Sequence, residues 1–259
     1  MGVVGLGQMA QALLLPLLEA RLVPAAEVRA VVGSSASAER LSAALGLAVS
    51  TDPGPAWLAP VVLLAVKPQQ LEAVAAAVPP GASGLLISVL AGVTVERLER
   101  VFPQWRCVRA VPNTPALVRH GLTGLAWGTG VSDEQRQWVL RLFAQVGDVV
   151  ELPQSQLDAF LALTSSGPAF VALVAEAMAD GAVAAGLPRA RARDLAQRTL
   201  AGTAALLEQR NLHPGELKDM VSSPAGTTIA GLRVLERGGL RSALLEAVLA
   251  AAERSRQLA

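Results

Sequence analysis

Hydrophobic and polar positions along the chain follow two regimes that change near residue 152. Before it, short apolar runs alternate with stretches of helical period. Strands are predicted at 1–4, 28–32, 48–50, 61–66, 85–89, 107–111, 122–127 and 149–152, and helices at 11–21, 38–45, 69–78, 95–101 and 133–145. That rhythm predicts a parallel, doubly wound α/β sheet. After 153–156 the strand signals vanish. Alanine-rich helical runs take over at 157–164, 168–185, 189–209, 213–222, 227–237 and 241–257. The pattern thus predicts an α/β domain over 1–152 and an all-α domain over 153–259.

The 168–185 segment is apolar or small nearly all round, which implies neighbours on every face. A helical domain of about a hundred residues supplies too few of them, so a subunit interface is expected there. The stretch 168–187 is also the candidate membrane span. Glu176 and Asp180 in its middle argue instead for the buried helix of a soluble protein. The first residues already read as strand and turn, so no leader is expected.

Composition narrows the chemistry. A hydrophobic share of 52% with 17% charged residues describes a compact globule, and the net charge of +1 offers no footprint for nucleic acid or an anionic membrane. With Cys107 the lone cysteine, no disulfide or thiolate metal site is expected, and a reduced cytoplasmic setting follows. The histidines are two, His120 and His213, and tyrosine is absent. Zinc hydrolysis, a Ser/His/Asp triad and a Tyr/Lys reductase site are therefore unsupported. Only two of the 22 basic residues are lysine, Lys67 and Lys218, and both lie beside candidate motifs.

The first such motif is Gly5 Leu6 Gly7 Gln8 Met9 Ala10, between the first strand and the first helix. In a dinucleotide fingerprint the tight turn needs Gly5, close approach of backbone to a pyrophosphate needs Gly7, and Ala10 lets helix pack on strand. The second strand ends in Gly33 Ser34 Ser35 Ala36 Ser37 with Arg40 a turn later, where an NAD enzyme usually places an acid. Without the acid, serines and arginine offer donors to a 2'-phosphate. Capping of the next helix is the alternative role for the serines, compatible with the first.

Two more sequences stand at predicted strand ends, Ala65 Val66 Lys67 Pro68 and Val111 Pro112 Asn113 Thr114 Pro115. Asn113, between prolines, is rigidly placed. Its amide either meets a ligand or satisfies loop backbone, and the residues leave the two readings even. In the second half, Ser222 to Thr228 is a polar turn running into the helical segment 227–237. Such a start gathers unpaired N–H groups suited to a carboxylate, although Ser and Thr there are also ordinary N-caps, the commoner case.

Together these pieces resemble the pyrroline-5-carboxylate reductase family over essentially the full length. The resemblance rests on the fingerprint, Ala65 to Pro68, Pro112 to Pro115, Gly167 Pro168 Ala169 Phe170, Glu176 to Asp180, and above all 213–228. It implies a Rossmann domain followed by a helical dimerisation domain, and reduction of a cyclic imine to L-proline with NADPH, NADH being the weaker alternative. It implies homodimers, often assembled into decamers. By matching positions, Gly7, Gln8, Met9 and Ala10 would hold pyrophosphate, Ser34 and Ser35 the adenosine end, and Ala65, Val66 and Lys67 with Asn113 the nicotinamide side. The substrate carboxylate would sit at Ser223, Gly226, Thr227 and Thr228, with Thr228 the candidate catalytic hydroxyl; no metal is implied.

The chain departs from the family pattern at Thr164 Ser165 Ser166 for the usual Ser Gly Ser, at Phe170 for Tyr, and at Pro224 Ala225 Gly226 for Pro Gly Gly. A β-hydroxyacid dehydrogenase also begins Gly Leu Gly x Met, but relies on a lysine in its central helix, and 168–187 contains none. A nucleotide-sensing binding protein would keep the first motif and have no use for the turn at 222–228.

Overall fold

The computed structural model describes residues 1–257. Packing divides the chain into two compact units, Met1–Ser165 together with the chain from Ala251 onward, and Ser166–Ala250. In the first unit, strands β1 (Gly2–Val4), β2 (Arg29–Val31), β3 (Ala48–Ser50), β4 (Val61–Leu64), β5 (Gly84–Ser88), β6 (Trp105–Pro112), β7 (Gly121–Trp127) and β8 (Gly147–Glu151) form one sheet in the order β3-β2-β1-β4-β5-β6-β7-β8.

Alternation along the strands sends successive residues to opposite faces. Val3, Leu63, Leu85 and Ile87 enter one core, while Val4, Leu64 and Leu86 enter the other. Helices α1 (Gln8–Glu19), α2 (Ser35–Leu45) and α6 (Asp133–Phe143) cover the first face through residues such as Leu13, Leu41 and Phe143. The other face is covered by α3 (Gly54–Trp57), α4 (Leu71–Ala76) and α5 (Val95–Val101) through Trp57, Leu71 and Leu98. Leu13, Leu14 and Leu17 are fully buried, and each contributes about 1.5 to 3 kcal/mol of transfer free energy.

Ladders β1·β2, β1·β4, β4·β5, β5·β6 and β7·β8 are parallel as expected, whereas β6·β7 is antiparallel. The connection there is a 3-10 turn, Thr114–Val118, and a parallel return needs a crossover of a dozen or more residues.

Helix α7 (Leu157–Thr164) packs with the sheet, so the first compact unit runs on to Ser165. The reason is close approach: a Cβ on Gly124 of β7 would lie 2.8 Å from the Phe160 ring and 2.9 Å from Leu157. Leu157 joins Val95, Val111 and Ala126 in a small core under this helix.

The second unit contains α8 (Gly167–Ala184), α9 (Arg189–Arg210), α10 (Pro214–Met220), α11 (Thr227–Arg237) and the first part of α12 (Leu240–Gln257). Helices α8 and α9 pack through Ala179, Ala192 and Ala196. Leu173, Met178, Leu195, Val234 and Leu249 remain exposed. One segment, Gln154–Ala184, is long and apolar enough to cross a membrane by length and composition, and only 17% of its most apolar window is buried.

Candidate functional site

Strand order reverses between β1 and β4, and ligands of doubly wound sheets bind outside the carboxyl ends at such a point. A cleft of about 540 Å³ lies there, lined by Gly5, Gly7, Gly33, Arg40, Ala65 and Lys67 among others. Gly5 holds φ at +90°, and an added Cβ would stand 2.7 Å from the Ala65 carbonyl oxygen. Only glycine fits that turn.

Gly7 is the N-cap of α1 and offers no capping side chain, and nothing lies within 4 Å of where its Cβ would be. Gln11 donates its N–H to the Gly7 carbonyl at 3.0 Å, which leaves the N–H groups of Gln8, Met9 and Ala10 without an intrahelical acceptor. An open glycine beside three free donors at the positive end of a helix is a fitting cradle for a pyrophosphate. The Ala10 side chain is buried and Met9 packs on the core, so the backbone is what these two residues present.

At the end of β2, Ser34 caps α2: its Oγ accepts the Ser37 N–H at 3.3 Å and donates to Ser37 Oγ at 3.0 Å. Ser34 and Ser35 are exposed, while Ser37 and Arg40 line the cleft directly. Val66 and Lys67 line it from the end of β4. Thr51, Trp57 and Gln70, which the sequence reading did not single out, line it as well. Trp57 is held from below by Phe102 and Trp105, with ring centroids 5.5 and 5.6 Å away. Its signal in sequence is slight: one tryptophan after Pro53 Gly54 Pro55, in a helix too short to leave a period.

Asn113 is not among the residues lining the cleft. It is 5% exposed, donates from Nδ2 to the Thr164 carbonyl at 2.9 Å, and accepts the Leu122 N–H on Oδ1 at 2.8 Å. Its amide therefore ties loop backbone together. Packing of α7 on the sheet decides this, because it brings Thr164 to the end of β6.

In the second unit the turn before α11 is bare. Gly226 is the N-cap, without a side-chain cap, and Ala230 donates to its carbonyl at 3.3 Å. The N–H groups of Thr227, Thr228 and Ile229 are left open. Among the described residues, the hydroxyls of Ser223, Thr227 and Thr228 make no hydrogen bond, so the simple capping role does not hold for them; Ser222 Oγ donates to the Lys218 carbonyl at 2.7 Å. The turn closes through Gly226 N–H on the Ser223 carbonyl at 3.1 Å. Ala225, with φ of +57°, sits in the left-handed region at a cost of about 1 to 2 kcal/mol. A Cβ on Gly226 would meet Ser223 Oγ at 2.3 Å.

Among the described residues no group of three or more His, Cys, Asp or Glu is placed to hold a metal ion. Burial, helped by the Glu99 carboxylate, pushes the Cys107 thiol up to about 12, so it is an inert core group.

Comparison with known proteins covers both the sheet-forming and the helical parts of the chain. A family model for pyrroline-5-carboxylate reductase dimerisation matches residues 154–258, and one for NADP oxidoreductase, coenzyme F420-dependent, matches 1–92. The chain is 45% identical to the pyrroline-5-carboxylate reductase of Synechocystis over 100% of this chain and 97% of that one. It is 40% identical to that of Methanosarcina acetivorans over 99% and 97%. A crystal structure of Plasmodium falciparum pyrroline carboxylate reductase with NADP bound superposes with a TM-score of 0.90 at 27% identity, covering 99% of this chain and 97% of that one. A bare, hydroxyl-rich helix start in one unit, a glycine-lined cleft in the other, and full-length identity at this level lead to one conclusion: the chain belongs to the pyrroline-5-carboxylate reductase family.

Proposed function

We propose that this protein reduces 1-pyrroline-5-carboxylate to L-proline with NADPH as hydride source. The observation that carries the reading is the start of α11, where three N–H groups and the hydroxyls of Ser223, Thr227 and Thr228 stand uncommitted in a chain of this family. Those donors suit a ring carboxylate. Gly5, Gly7 and the N–H groups of Gln8, Met9 and Ala10 hold the pyrophosphate. Ser34, Ser35, Ser37 and Arg40 take the adenosine end, where the lack of an acid admits a 2'-phosphate, and the Plasmodium relative was solved with NADP. Ala65, Val66 and Lys67 flank the nicotinamide, and Asn113 shapes its surroundings through the loop it holds.

When bound, the nicotinamide supplies the hydride. A protonated imine accepts it readily, so the protein's part is chiefly orientation. Gly226, Thr227 and Thr228 fix the ring by its carboxylate, and the Thr228 hydroxyl hydrogen-bonds at the ring nitrogen and steadies its proton.

The exposed apolar faces of the helical unit and its match to a dimerisation family support an oligomer built through that unit. We assign a homodimer as the building block, with decamers as its higher assembly, in the cytoplasm and without nucleic-acid or membrane partners. The test is a steady-state assay of imine-dependent NADPH oxidation alongside light scattering. Absence of turnover would sink the catalytic reading, and an active, monodisperse monomer would sink the interface.

A further inference from the structure

The middle of β6 carries an arginine where an apolar strand would be expected to continue. Arg109 is 0% exposed, flanked on its neighbouring strands by Ser88 and Ala126, both buried. Its Nη2 donates to Asp158 Oδ1 of α7 at 3.2 Å, while Nε and Nη1 find no partner among the described residues. The same Asp158 oxygen accepts the Ser255 hydroxyl at 2.8 Å, and Ser255, in the last turns of α12, is 4% exposed. A well-packed apolar residue would serve stability at least as well as a buried ion pair left short of hydrogen bonds. The arrangement therefore calls for a reason other than stability.

Topology supplies one. The helical unit leaves the first unit at Ser165 and returns to it at Ala251, so it is carried on two stems, α7 and the end of α12. Asp158 joins the stems to each other, and Arg109 joins both to β6. Further along, that strand enters the loop of Asn113, whose amide holds the far end of α7 at Thr164. We propose that Arg109 is a positioning residue, which through Asp158 and Ser255 fixes both stems of the helical unit to the strand that leads into the Asn113 loop. Its effect on turnover rests on the proposed function.

The test uses the full-length protein as Arg109→Met, which keeps a long apolar stem, beside Arg109→Lys and Ser255→Ala. Hydrogen exchange is followed over 157–164 and 251–257, together with NADPH affinity and imine kinetics. In Arg109→Met, exchange rises in both stems by about tenfold or more. NADPH affinity stays within about twofold, while kcat/KM for the imine falls about tenfold or more through misplacement of the reacting groups. Arg109→Lys recovers part of both losses, and Ser255→Ala loosens 251–257 alone. Unchanged exchange in the stems of Arg109→Met, or wild-type kcat/KM in that folded variant, overturns the proposal. If Arg109→Met does not fold, Asp158→Asn is read by the same criteria. A wild-type protein without imine turnover would refute the proposed function, leaving stem exchange to decide the role of Arg109.

Discussion

Asn113 and Thr164 are 51 positions apart in sequence and joined by a 2.9 Å hydrogen bond from the Asn113 amide to the Thr164 carbonyl. With the second bond, from the Leu122 N–H, one buried side chain ties the end of β6, the start of β7 and the last turn of α7. Asn113→Ala deprives both backbone groups of their partner and is expected to cost about 2 to 4 kcal/mol. Denaturant unfolding measures that loss. Unchanged stability with weakened NADPH binding would return the amide to the cofactor.

Ser34→Asp separates capping from charge. Aspartate is as good an N-cap as serine, so α2 and the unfolding midpoint should be preserved. A carboxylate beside the 2'-phosphate should raise KM for NADPH about tenfold, near 1.4 kcal/mol, with little effect on NADH. Equal changes for both cofactors would remove this loop from phosphate recognition.

Thr228 is half-buried, and its hydroxyl is without a partner among the described residues. Thr228→Val keeps the shape and removes the hydroxyl, and because Gly226 already occupies the cap position, helix α11 should not suffer. Losing a hydrogen bond to a charged group costs about 1.5 to 3 kcal/mol, a ten- to hundredfold drop in kcat/KM for the imine. NADPH affinity should hold. Wild-type kinetics in the folded variant would show the substrate is anchored elsewhere.

Cys107 gives stability a pH dependence of known sign. The thiol ionises near 8.5 in an unfolded chain and at about 12 in the folded one, where burial and Glu99 oppose the charge. Between those values the unfolded state has released a proton that the folded state keeps, so stability falls as pH rises, by about 2 kcal/mol at pH 10. Below about pH 8 the group has no effect. Urea melts at pH 8 and 10 should show this slope in the native protein and not in Cys107→Ala. The thiol should also resist alkylation at pH 8 until the chain unfolds.

Features that neighbouring residues decide among themselves are legible along the chain. Apolar runs in alternation with helical periods specify a doubly wound sheet, and the helices 95–101 and 227–237 emerge with the bounds their pattern implies. Gly5 announces a turn that tolerates no side chain, and the stretch 222–228 announces a helix start with donors to spare. Propensity, capping and burial period act over a turn or two of chain, so they are written locally.

Which distant segments meet depends on packing across the whole fold. β6 and β7 pair antiparallel because their link is too short to cross over, and α7 joins the sheet because Gly124 lets Phe160 close upon it. Nothing near the Asn113 amide in sequence names the Thr164 carbonyl, 51 positions away, as its acceptor. Arg109 in the run 107–111 signals a buried charge, yet nothing near it in sequence names Asp158 or Ser255 as its partners. A buried polar group must be satisfied by whatever packing brings within about 3 Å, and that choice belongs to the fold as a whole.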